Sequence, residues 1–93
     1  MGFVCKIILA DDHQILRAGL KDLIEKDAAF KVVAQARDGD ELLSRLDAGK
    51  CDLVIMDLSM PNRDGMQTIE EIRERFPKVK ILVLTMQKDQ EHF

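Results

Sequence analysis

Asp52-Leu53-Val54-Ile55-Met56-Asp57-Leu58-Ser59-Met60-Pro61 decides how the rest of the chain is read. Four consecutive apolar residues with turn chemistry soon after predict a strand over Asp52–Met56, buried on both faces. Sheets of that kind bind ligands outside the carboxyl ends of their strands, and Asp57 stands at that end. Working outward, Lys6-Ile7-Ile8-Leu9-Ala10 has the same form and runs into Asp11-Asp12. Lys80-Ile81-Leu82-Val83-Leu84 runs into Thr85. As parallel neighbours, the three strands would gather three carboxylates and one hydroxyl on one rim. Clustered carboxylates repel one another unless a cation neutralises them. An oxygen-only cluster suits a hard divalent ion, with magnesium the first expectation.

Helical patterns fill the gaps. Leu16, Leu20, Leu23 and Ile24, with Ile15 beside them, predict a helix over Gln14–Lys26, with Asp12 as its N-cap. Phe30–Ala36 reads as a second strand, β-branched at its centre and interrupted by polar residues, hence at an edge. Arg37-Asp38-Gly39-Asp40 reads as a turn. A second helix covers about Gly39–Ala48, with Leu42, Leu43 and Leu46 on one face and Gly49 as a C′ residue. Asp64 is the expected N-cap of a third helix with an apolar stripe of Met66, Ile69, Ile72 and Phe76. Pro77 ends it, because the residue before proline resists the helical region. Gln87–Phe93 reads as the start of a fourth helix. Strands alternating with helices over short links imply an α/β fold, a parallel sheet with helices on both faces and right-handed crossovers.

Ninety-three residues make one short domain with a modest core. A net charge of −3 supplies no basic footprint for nucleic acid. No apolar run has the length of a membrane span, and the amino terminus lacks the form of a signal peptide, so a cytoplasmic location is the default expectation. Cys5 and Cys51 each precede a strand-end aspartate by six residues. In register they would lie near each other at the opposite rim, as reduced, partly buried thiols. His13 is expected to be solvated, and Met60, Met66 and Met86 to be packing residues.

Together these motifs resemble a bacterial response-regulator receiver domain: Asp11-Asp12, Asp57, Met60-Pro61 followed by Asp64-Gly65, and Leu84-Thr85. Ala10-Asp11-Asp12-His13 and Met56-Asp57-Leu58-Ser59-Met60-Pro61 are most similar to receivers of NarL/FixJ (LuxR-type) transcription regulators. The resemblance covers residues 1–93. It implies a flavodoxin-like, doubly wound sheet of order 2-1-3-4 in a three-layer α/β/α arrangement, and a phosphoryl group accepted on Asp57 from a histidine kinase with Mg2+. Asp12 would ligate the ion directly, Asp11 mainly through water, and the Ser59 backbone carbonyl would add a ligand. Thr85 would hydrogen-bond the phosphoryl oxygens, while the side chains of Ser59 and Gln87 would tune its lifetime. Arg63 departs from the apolar residue often found between Met-Pro and Asp-Gly.

A fifth strand with its lysine, a fifth helix and an output DNA-binding domain find no match in this sequence; Lys78, Lys80 and Lys88 stand at other places. The chain therefore reads as a receiver truncated before the fifth strand, slow to be phosphorylated, reaching DNA only through an output domain not present here. Self-association is expected through the fourth strand and the sheet face that the fifth helix would cover. A haloacid-dehalogenase phosphatase would need an aspartate where Ser59 stands, and a dinucleotide-binding fold a glycine-rich first turn in place of Asp11-Asp12-His13. The alternative from another class is a fragment that no longer signals and serves only as an interaction or oligomerisation module.

Overall fold

The computed structural model describes residues 3–84. Thr85, Met86, Gln87 and the remainder of the expected fourth helix lie outside the described residues. The elements run β1 (Cys5–Ala10), α1 (Gln14–Ile24), β2 (Phe30–Ala36), α2 (Gly39–Ala48), β3 (Leu53–Asp57), α3 (Gly65–Arg75) and β4 (Lys80–Leu84). Their strands form one parallel sheet in the order β2-β1-β3-β4. The expected α/β architecture and the edge position of β2 are both observed.

Alternation along the strands builds two apolar layers. Ile8, Ala10, Val54 and Met56 pack with Leu42, Leu43 and Leu46 of α2 and with Ile69 and Ile72 of α3. On the other face, Ile7, Leu9 and Val32 pack with Leu20 and Ile24 of α1, flanked by Leu53 and Ile55. Strand β2 serves both layers because its pairing with β1 slips between Ile7 and Ile8: Ile7 pairs with Val32, but Ile8 pairs with Ala34. Val33 is the extra residue, and beyond it Ala34 and Ala36 turn to the α2 side.

Several local expectations are corrected. Helix α1 begins after His13, not Asp12, and His13 makes no side-chain capping bond. The helix ends at Ile24, where Glu25 turns back so that its carboxylate accepts from Lys21 Nζ and from the β2 amide of Val32. Ile15 and Leu23 lie on the outside of the helix. Met66 is exposed as well, and Thr68 takes the buried place on α3, its hydroxyl donating to the Asp64 carbonyl. Gly49 ends α2 in extended backbone, at φ −161°, without the left-handed geometry of a C′ glycine. The two cysteines are free and partly buried, as expected, and close enough for Cys5 to help raise the Cys51 thiol; Cys5 packs with the α1 layer, and Cys51 with the α2/α3 layer, its Sγ 3.1 Å from the Leu53 carbonyl.

Candidate functional site

Register alone brings the first carboxylates together. Ala10 pairs with Met56, so the residues that follow, Asp11 and Asp57, leave neighbouring strands side by side. Both are buried, 3% and 1% exposed, as befits side chains at the end of central strands. Asp12 and His13 follow on the exposed loop into α1. One ligand atom from each of Asp11, Asp12, His13 and Asp57 lies within 4.8 Å of the others. The predicted acidic cluster therefore exists, and it includes a histidine.

Each buried carboxylate has one occupied and one empty oxygen. Asp57 Oδ1 accepts from the Ser59 amide at 3.0 Å and from Ser59 Oγ at 2.9 Å. Asp11 Oδ1 accepts from the His13 amide at 2.7 Å and faces His13 Nδ1 at 2.9 Å. Asp11 Oδ2 and Asp57 Oδ2 are buried with no hydrogen-bond partner among the described residues. Buried polar atoms in folded proteins are nearly always satisfied, and two orphaned carboxylate oxygens in one cluster are the state that a cation relieves. The donor set thus fits a divalent ion by an observation independent of the motif.

The surrounding loops hold these groups in place. Arg17, one turn into α1, donates through Nη1 to the Asp11 carbonyl and through Nε to Gln35 Oε1, tying α1 and β2 to the end of β1. The β3–α3 loop is fixed to the start of α2. Asn62, at φ 76°, donates to Asp38 Oδ2, and Arg63 reaches Asp40 at 3.2 Å and Glu71 at 2.6 Å. Gly65 lets this loop lie on the amino end of α3, since a Cβ there would stand 2.7 Å from the Leu58 carbonyl oxygen. Arg63 in the apolar position therefore works as an ionic strut.

Sequence reasoning placed Asp11, Asp12, Asp57 and Ser59 at this rim, and the structure brings all four there. It missed three contacts: the Ser59 hydroxyl on Asp57, the His13 ring on the acidic pair, and Arg17 on the Asp11 carbonyl. The first carried a signal, because a hydrogen-bonding residue two positions after an aspartate favours a local side-chain turn. Thr85 lies outside the described residues. An apolar cavity of about 490 Å3 lies between Leu46, Cys51 and Phe76, at the opposite end of the sheet and away from the carboxylates.

The family model for the response regulator receiver domain matches residues 7–93. The chain belongs to that family. This receiver is 45% identical over 87 residues to the transcriptional regulatory protein YhcZ of Bacillus subtilis (strain 168), and 42% identical over 88 residues to the oxygen regulatory protein NreC of Staphylococcus haemolyticus (strain JCSC1435). Each alignment takes in 94% of the chain but only 41% of the relative, so the receiver spans well under half the length of these proteins. The solved non-phosphorylated receiver domain of the stress response regulator RcsB from Escherichia coli superposes with a TM-score of 0.85 at 33% identity, covering 95% of this chain and 70% of that one. A Salmonella typhimurium RcsB structure gives a TM-score of 0.87 at 34% identity, covering 92% of this chain and 44% of that one. The expected receiver family and its flavodoxin-like sheet are thereby established, and the domain is a signalling module. No helix among the described residues is long and apolar enough to cross a membrane.

Proposed function

We propose that this receiver accepts, in the cytoplasm, a phosphoryl group on Asp57 from the phosphohistidine of a histidine kinase, with Mg2+ held at the acidic rim. The observation that carries this reading is the pair of orphaned carboxylate oxygens on Asp11 and Asp57, on neighbouring strands of one cluster. Asp12 would be a direct ligand, Asp11 would act mainly through water, and the Ser59 carbonyl would complete the protein's share. The ion, when bound, offsets charge on the equatorial phosphoryl oxygens.

The chain's own residues do the rest. Ser59 holds Asp57 Oδ1 through two hydrogen bonds and so fixes the carboxylate plane for attack. A new bond forms between a carboxylate oxygen of Asp57 and phosphorus. The phosphorus–nitrogen bond to the donor histidine breaks, and its electron pair stays on the imidazole nitrogen, which then takes a proton. Thr85 would hydrogen-bond the transferred group. DNA would be reached only through an output domain of a longer protein; the solved relative RcsB forms a complex with DNA. In the 93-residue chain, self-association runs through β4 and the adjoining sheet face.

Incubation with a small acyl phosphate tests the acceptor. Mass spectrometry should show Mg2+-dependent addition of one phosphoryl group, and none in Asp57→Asn. Addition that persists in Asp57→Asn, or that ignores Mg2+, overturns the reading. It would leave the domain as an interaction module only.

A further inference from the structure

The 490 Å3 cavity at the end of the sheet opposite the carboxylates takes no part in phosphoryl transfer. It lies between the carboxyl end of α2, the α3–β4 turn and the start of β3. Leu46, Cys51, Phe76 and Val79 line it; Leu46 is buried, and the other three are partly buried against the larger core cluster. Concave space of this size, mostly apolar with a few polar groups, is the usual form of a small-molecule site. Bonds outside the cavity hold it open. Arg75 Nη2 donates to Asp47 at 2.6 and 2.7 Å and its Nη1 to Glu71 at 2.9 Å, which fixes the ends of α2 and α3 together. The same guanidinium lies over the Phe76 ring, 5.1 Å from its centroid. The Val79 amide donates to the Phe76 carbonyl, and the Lys80 amide to the Asp52 carbonyl, both at 3.0 Å. A site already in shape binds without the cost of ordering itself.

The charge around the cavity has one sign to spare. Lys50 and Lys78 are exposed lining residues and make no ion pair among the described residues. The one carboxylate of the lining, Asp52, already accepts from the Lys6 amide at 2.9 Å. Burial raises the Cys51 thiol above its ordinary value, so the apolar lining stays uncharged. Two unpaired cations beside an apolar hollow complement a molecule with an apolar body and an anionic head. A small inorganic anion would leave the hollow empty, and a neutral hydrocarbon would leave the lysines unused. We propose that this cavity binds a small amphiphilic carboxylate, its apolar body among Leu46, Cys51, Phe76 and Val79 and its carboxylate beside Lys50 and Lys78. The site is separate from Asp57 and stands whether or not that residue accepts a phosphoryl group.

Decanoate is the probe, titrated calorimetrically into the 93-residue chain, where it should saturate a single site. The double variant Lys50→Glu/Lys78→Glu should weaken it by at least about fivefold, since two exposed ion pairs are lost and two repulsions gained. Lys26→Glu/Lys31→Glu changes the net charge equally, at exposed lysines outside the cavity lining, and should weaken it by less than about twofold. The cysteines report the location. Cys51 lines the cavity and Cys5 does not. Saturating decanoate should slow alkylation of Cys51 by iodoacetamide at least about threefold, with Cys5 changed by less than about 1.5-fold, as peptide mass spectrometry can resolve. This protection is read on the unaltered chain, so it decides the question even if a lysine variant fails to fold. Absence of decanoate binding, equal losses in the two double variants, or equal slowing at both cysteines would each overturn the proposal. Equal slowing would mean that decanoate tightens the fold from somewhere else.

Discussion

Asp57 and Asp11 are unusual as residues because the fold buries them and then satisfies only half of each. A carboxylate removed from water is costly unless its oxygens are bonded or its charge is offset. Ser59 and His13 each occupy one oxygen, and the second oxygens wait. Asp12 differs in being exposed, so it contributes charge to the rim at little cost in desolvation. Its removal should act on ion binding far more than on folding. We expect Asp12→Ala to weaken Mg2+ binding by at least about tenfold, the lower end of what even outer-sphere changes achieve at metal sites. Its urea midpoint should stay close to that of the parent. Calorimetric titration that returns an unchanged Mg2+ affinity would remove Asp12 from the ligand set. At this scale the sequence was readable where chemistry depends on strand ends: Asp11 and Asp57 follow from counting along two buried strands. His13 was not readable as a partner of the acids, because its ring position depends on where α1 starts, one residue later than the capping rule suggests.

Elements were legible where a periodic apolar face met a strong boundary residue, and less so where tertiary contact chose between faces. Leu42, Leu43 and Leu46 identified α2, and all three are buried. The stripe on α3 failed at Met66 because Gly65, against Leu58, and Thr68 hold the buried side of the first turn, which leaves Met66 facing water. Slippage at Val33 was hidden for a similar reason, since a bulge is a property of the strand pair. Asp38, read only as a turn residue, is the N-cap of α2: its side chain accepts from the Glu41 amide at 2.8 Å. That bond, with further help from the Asn62 amide and Arg37, holds its carboxyl below the usual carboxylate range. The sign follows from linkage: a depressed folded-state value stabilises the fold above the unfolded value, and the contribution is lost as pH falls through the folded one. Asp38→Ala should therefore cost about 1 kcal/mol at neutral pH, and the deficit should shrink below about pH 4. Urea unfolding at the two pH values measures it. A deficit independent of pH would mean that the Asp38 charge adds nothing to the cap.

At the scale of the whole molecule the two faces of the sheet are unequally covered. Among the described residues, two helices and the larger core cluster close one face; α1 alone packs on the other, against β1 and β2, and none of its residues is fully buried. The result shows on β4. Ile81 and Val83 pack toward α2 and α3, whereas Leu82, on the α1 side, is 50% exposed. Leu53 and Ile55 beside it are only partly buried. Among the described residues β4 is hydrogen-bonded on one side only, to β3. An apolar edge strand next to an apolar patch favours pairing with another chain. The same exposure leaves a small fold little surplus stability. The 93-residue polypeptide should therefore dimerise or associate further through β4 and this face, in a concentration-dependent way that light scattering can follow. Leu82→Lys supplies the sharper test, because a charge on an edge strand opposes strand pairing while leaving the Ile81 and Val83 side of β4 intact. Association should fall in Leu82→Lys with the circular dichroism spectrum preserved. A parent chain that stays a compact, cooperatively unfolding monomer at high concentration would show that the exposed face does not drive assembly.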